Sequence, residues 1–282
     1  MTHPLDGCWA KIARSHEHLD ALQAEVAQFP DEAKDVAFAE EFDPQTNKIR
    51  VFVERAPSFP VHWSLIAADA FQNLRTALNY LAWELATWNL KRKGEMRDPN
   101  SQTQFPIAIE ENRFNLGQVA DLGPDHIALI KRLQPFDPDF IEAQRTSGLP
   151  PSPGQVVQLA PLTPQLRLAL ASGHPLARLQ RLSNEDKDQI LTPVGLASPY
   201  AVIGATSPDD CIILGGESTP GGFNVGDQWD VFDVRPTGAN PKVNMQNTFI
   251  FTVAFGGIHV EDLPKLGVAV TYVISEFEPV SE

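Results

Sequence analysis

Residues His62 to Trp88 constrain this chain more than any other stretch. They read His-Trp-Ser-Leu-Ile-Ala-Ala-Asp69-Ala-Phe-Gln-Asn73-Leu-Arg75-Thr-Ala-Leu-Asn79-Tyr80-Leu-Ala-Trp83-Glu-Leu-Ala-Thr-Trp88. At 100° per residue, Leu74, Leu78, Leu81, Leu85 and Trp88 gather on one face. That stripe is wide enough to pack against two neighbouring helices. Asp69, Asn73, Thr76 and Tyr80 run along one of its edges, and Arg75 lies beyond the opposite edge with Asn79 one turn on. The spacing predicts one unbroken helix from about residue 62 to Lys93, introduced by Pro57 and Pro60.

The remainder divides into two kinds of sequence. Before the long helix, Cys8 to Phe29 has helical spacing and stops at Pro30, and β-prone runs flank Asp43-Pro-Gln-Thr-Asn-Lys48, predicting a hairpin over 36–54. After it, helices are expected near Pro124–Leu133, Pro164–Leu170 and Pro175–Leu191. Residues 135–164, rich in Pro, Gly and Gln, read as largely irregular. From residue 192 the runs Tyr200–Ile203, Cys211–Leu214, Gln228–Val234 and Thr248–Phe255 are strand-like. A phase slip between Val231 and Phe232 suggests a bulge, and Gly215-Gly216 and Gly221-Gly222 suggest turns. An amphipathic helix follows over about Glu261–Phe277.

The fold class is therefore α+β: a helical bundle with an early β-hairpin, followed by a predominantly antiparallel sheet closed by a C-terminal helix. Two regions are expected, 1–191 helical with the hairpin, and 192–282 β-rich and packed on the first. In 282 residues, 43% hydrophobic with 16 Phe and 5 Trp, there is enough apolar matter for a sizeable core.

A net charge of −14 repels polyanions globally, so nucleic acid could be held only by a local basic patch. The densest cluster, Lys91-Arg92-Lys93 with Arg97, is explained by a solvated helix C-terminus. Two distant cysteines, Cys8 and Cys211, cannot form a disulfide framework. No membrane-length apolar run and no signal-peptide pattern is seen, so a cytoplasmic protein without membrane association is expected. Of His16, His18 and Asp20, His16 and Asp20 are one turn apart and could face one metal but lack a third ligand at predictable spacing, and Asp209, Asp210, Asp230 and Asp233 need no cation. Phosphate-binding glycine loops and the hydrolase nucleophile elbow are absent, and neither metal nor other cofactor is expected.

Asp69-Ala-Phe-Gln-Asn73-Leu-Arg75-Thr-Ala-Leu-Asn79-Tyr80-Leu-Ala-Trp83 resembles a recurrent signature of a family of uncharacterised bacterial proteins, Gly-Asp-x-x-His-Asn-Leu-Arg-Ser-Ala-Leu-Asp-His-Leu-x-Trp. The likeness extends to Cys8–Leu22, to Gln104-Phe105-Pro106-Ile107, to Leu133-Gln134-Pro135-Phe136 and to Leu182-Ser-Asn184-Glu-Asp186-Lys187. Within the signature, an Arg followed five residues later by a His is also the pattern of HEPN domains. Those are helical-bundle proteins, often dimeric, some of them metal-independent ribonucleases. Here Arg75 is kept, Tyr80 stands at the His position, and Asp188 and Gln189 replace the His and Arg of the second motif. A phenol with an ordinary pKa near 10 is a poor general base.

The resemblance implies a HEPN-like, non-catalytic interaction protein that forms a homodimer or meets a protein partner. Two alternatives stand beside it. One is a metal-independent ribonuclease or other phosphoryl-transfer enzyme with Arg75, Tyr80 and Lys187 as catalytic groups. The other is a small-molecule binding protein or enzyme with a pocket between bundle and sheet. Asp69, Asn73, Asn79 and Asp186 are the candidate ligand-binding residues.

Overall fold

The computed structural model describes residues 3–29, 37–56, 58–147, 161–188, 191, 193–197, 202–206, 210–218, 225–239, 241–248 and 251–277. The fold is α+β, with the early hairpin and a C-terminal helix present. The chain divides into two compact units, each assembled from separated segments. A helical unit comprises Met1–Asp20, Ile66–Ile190 and Asp262–Glu282, and a sheet unit comprises Ala21–Leu65 and Leu191–Glu261. The boundary drawn at 191/192 from the change of pattern therefore does not separate the units. Both take residues from either side of it, because β-pairing joins segments far apart in sequence.

The helices are α1 (Asp6–Ala27), α2 (Val61–Arg92), α3 (Pro124–Arg132), α4 (Pro138–Thr146), α5 (Pro164–Ser172), α6 (Pro175–Asp188) and α7 (Pro264–Ser275). The last five all open on proline, whose fixed φ suits the first turn and whose missing N–H is one the helix could not have bonded. Side chains cap several of them. Asp137 accepts from the Asp139 and Phe140 amides, Thr163 from the Leu166 amide, and His174 Nδ1 from the Leu176 amide at 3.1 Å.

Helix α4 corrects the reading of 135–164 as irregular. Asp137-Pro138 is a cap followed by a first-turn proline, a start signal hidden in a Pro-rich stretch. Residues 148–160 lie outside the described set. Helix α7 begins later than Glu261, after a short 3-10 turn at Val260–Asp262.

In the helical unit α2 is the central rod. Leu74, Leu78 and Leu81 are fully buried, as are Phe71, Ala77, Ala82 and Ala86 beside them. Each buried leucine or phenylalanine contributes about 1.5–3 kcal/mol, so burial of this extent fixes the helix without strong local propensity. Close approaches are made at glycine. A Cβ at Gly267 of α7 would lie 2.5 Å from the His16 imidazole of α1, so the ring occupies the space a side chain there would need.

The strands are β1 (Ala37–Asp43), β2 (Lys48–Arg55), β3 (Pro193–Ala197), β4 (Val202–Thr206), β5 (Cys211–Ser218), β6 (Gln228–Pro236), β7 (Asn244–Thr248), β8 (Phe251–Phe255) and β9 (Ile258–His259). They form antiparallel sheets in the orders β1-β2-β6-β5, β3-β8-β9 and β4-β7. The hairpin turn is held by Asp43, whose carboxylate accepts from the Gln45 amide and the Thr46 hydroxyl, with Asn47 in the left-handed region at φ 51°. Beneath the first sheet Ile49, Val51, Cys211, Val234 and Val243 form a buried cluster, with Phe38, Phe42, Ile213 and Phe232 packed against it.

Three details of the strand reading change. The run Thr248–Phe255 is not one strand, since β7 and β8 belong to different sheets. Gly215-Gly216 lies inside β5 rather than in a turn; a Cβ at Gly216 would lie 2.8 Å from the Phe232 ring opposite it, so the ring takes that space. Register shifts fall on either side of the Val231–Phe232 step, at Leu214 of β5 and Trp229 of β6. Gly221-Gly222, Asp209 and Gln189 lie outside the described residues. Among those described, no helix is long and apolar enough to cross a membrane.

Candidate anion-binding cavity

The site begins with a polar stripe on the central helix. Gln72, Arg75, Thr76 and Asn79 follow the i, i+3, i+4, i+7 spacing that places side chains on one face. Two of them grip the extended segment 104–108. Asn79 Oδ1 accepts from the Phe105 amide at 3.2 Å, and Arg75 Nη2 donates to the Phe105 carbonyl at 2.7 Å. One turn of helix thus satisfies both backbone groups of a fully buried residue, as a neighbouring strand would. Gln134, also fully buried and two residues past the end of α3, holds the same segment: its amide donates to the Pro106 carbonyl and accepts from the Ala108 amide, both at 3.0 Å.

A second stripe faces the first from α6. Gln180, Asn184 and Lys187 recur at i, i+4, i+7. Gln72 fixes the spacing of the two helices by donating to the Ser183 carbonyl and to the Asp186 carboxylate, both at 3.1 Å, and accepting from the Ser183 hydroxyl. Between the stripes and residues 104–118 lies a cavity of about 450 Å³. Its described lining contains three cations, Arg75, Arg113 and Lys187, and seven side-chain amides, with no carboxylate and no aromatic ring.

The cations differ in kind. Lys187 is exposed, and Arg113 is exposed and ion-paired with Glu110 at 3.2 Å. Arg75 is only 7% exposed and no carboxylate pairs with it among the described residues. Among the described residues its sole hydrogen bond is the one to Phe105, and Nη1 has no partner there. Burial pushes its pKa down to about 10, still leaving it charged at neutral pH. An unpaired buried donor costs about 1–3 kcal/mol and an uncompensated buried charge several more. An arginine so placed keeps a positive charge to offer a phosphate or carboxylate while Nη2 is held by Phe105.

The structure brings Arg75, Asn79 and Lys187 around this one cavity. Asp186 stands behind it, engaged with Gln72. Asp69, Asn73 and Tyr80 lie on another face of α2. The Tyr80 ring, 45% exposed, lies against Gly7 of α1, and Asn73 accepts from Lys11 at 3.2 Å while donating to the Asp69 carbonyl. Thr76, grouped with those residues by helical angle, lines the Arg75 cavity instead. Gln72, Gln180 and Asn184 went unassigned in the sequence, although two polar stripes at helical spacing would have singled them out. Gln104, Arg113, Asn115 and Gln118 come from irregular chain, where no period marks them.

Other candidates have structural occupations. Arg97 Nη2 donates to Asp121 at 2.7 Å, which holds that carboxyl below its usual range. His16 packs on Gly267, and no metal-competent cluster occurs among the described residues. Cys8 and Cys211 are both free and buried, and burial pushes the Cys8 thiol up to about 12. No family model, curated protein or solved structure matches the chain.

Proposed function

We propose that this protein is a non-catalytic binding protein whose helical unit holds the anionic group of a small molecule at Arg75. The observation that carries the reading is Arg75, 7% exposed and with no carboxylate partner among the described residues, lining a cavity with two further cations and no carboxylate in its described lining. At about 450 Å³ the space lies within the range of small-ligand pockets, roughly 300–1,000 Å³. An acidic surface disfavours a long polyanion while leaving a local cationic recess open to a compact one.

The absence of catalysis rests on the lining. Arginine, lysine and amide side chains offer electrostatic stabilisation, but no carboxylate or imidazole lines the described wall to move a proton near neutral pH. Phosphoryl transfer is the second reading, favoured by the meeting of Arg75 and Lys187 at one cavity.

Calorimetric titration with inorganic phosphate at constant ionic strength tests the proposal. The wild type is expected to bind, and Lys187→Ala to bind about tenfold more weakly, the loss of a charge-assisted contact of about 1.4 kcal/mol. No heat of binding, or equal affinity in both proteins, would overturn it. Cleavage of single-stranded RNA by the wild type but not by Arg75→Met would favour the second reading.

A further inference from the structure

Resting on the Arg75 reading, we infer that the ligand is a phosphorylated polyhydroxy compound, a sugar or polyol phosphate, rather than a nucleotide or phosphate alone. The hydrogen-bonding inventory of the wall decides the class. Phosphate oxygens only accept, so they need donors. The Arg75 guanidinium and the Lys187 ammonium, both of residues that line the cavity, supply these, and Asn79 Nδ2 remains available because only the oxygen of that amide is used by Phe105.

The wall also carries acceptors that phosphate cannot satisfy. Gln180 donates its nitrogen to Asn184 at 2.7 Å, which leaves Gln180 Oε1 and Asn184 Nδ2 turned to other partners. Gln104 and Gln118 line the cavity with both amide atoms uncommitted among the described residues. Adjacent donors and acceptors of this kind match hydroxyl groups, which do both.

The same wall argues against a nucleobase. It has no aromatic ring on which a base could stack, and stacking is the usual means of holding one. Room for the body of a sugar exists beyond the phosphate position. A neighbouring cavity of about 700 Å³ shares Ile107, Arg113, Gln180 and Asn184 with this one. The anion is thus placed at the Arg75 end and the hydroxyls along the amides of α6 and the 104–118 segment.

The experiment is a four-arm calorimetric titration of the full chain at fixed ionic strength, with inorganic phosphate, glucose 6-phosphate, glucose and adenosine monophosphate. Glucose 6-phosphate is expected to bind at least tenfold more tightly than phosphate. Glucose should show no measurable binding and adenosine monophosphate no gain over phosphate. Gln180→Leu should bring glucose 6-phosphate affinity down towards that of phosphate, by removing an acceptor for its hydroxyls. Equal affinity for phosphate and glucose 6-phosphate, or tighter binding of adenosine monophosphate, would overturn the inference and leave the anion site standing. Failure of phosphate and both phosphate esters to bind would overturn the anion reading with it.

Discussion

Arg75 does two jobs with one guanidinium. Nη2 holds the Phe105 carbonyl, while Nη1 is buried with no hydrogen-bond partner among the described residues, in a residue that lines the cavity. A purely structural arginine would be expected to have a carboxylate beside it, because an unpaired buried charge subtracts from stability. His174 is a contrasting residue whose perturbation belongs to folding. Its ring meets Phe140 edge-on at 4.3 Å and its Nδ1 caps α6, and burial lowers its pKa to about 4. The unfolded chain takes up this proton near pH 6.5 and the folded chain only near 4. Its share of stability is therefore intact above pH 6.5 and lost as pH falls towards 4, an effect on the order of 2 kcal/mol. Urea unfolding at pH 7.0 and pH 4.5 should show this loss in the wild type, and a smaller loss in His174→Asn, which keeps a capping oxygen. Parallel losses in the two proteins would assign the acid sensitivity elsewhere.

Elements here are fixed as much by side-chain clamps as by their own periodicity. The 104–108 segment has no ladder, yet its backbone is bonded by Arg75, Asn79 and Gln134. Gln134→Ala would orphan the Pro106 carbonyl and the Ala108 amide in the core, at about 2–6 kcal/mol for two unmet groups. Chemical denaturation should record that cost, along with faster amide exchange at Ala108. Exchange unchanged from the wild type would mean the segment is held by other means.

The long helix was legible because its leucines recur at 3.6-residue spacing, and Arg75 and Asn79 stood out beside that stripe. The division of its polar residues into a cavity face and an α1 face was not legible. Thr76 sits near the border between the two, and only the position of the 104–118 segment decides its side. Helix α4 was missed because cap and proline signals are local and were outweighed by composition.

At the scale of the whole molecule, the order of elements along the chain misleads about their grouping. Lys48 of the early hairpin pairs with Asp233, and α7 near the C-terminus makes contact with α6 in the helical unit. Sequence pattern reports each strand's alternation but not its partner, so it groups the hairpin with the helices around it. The proposed cavity, by contrast, is built wholly from the helical unit. A ligand bound there stabilises that unit by RT ln(1 + [L]/Kd), about 2.7 kcal/mol at a hundredfold excess over Kd.

The claim that Arg75 is a charge awaiting an anion is tested most directly by urea unfolding of wild type and Arg75→Met, each with and without saturating phosphate at matched ionic strength. Without phosphate the variant should lie within about 1 kcal/mol of the wild type, because the lost Phe105 bond is offset by removal of a buried charge. Phosphate should then raise the wild-type midpoint and leave the variant's unmoved. A variant several kcal/mol less stable, with both proteins responding to phosphate alike, would make Arg75 a structural clamp and contradict the account.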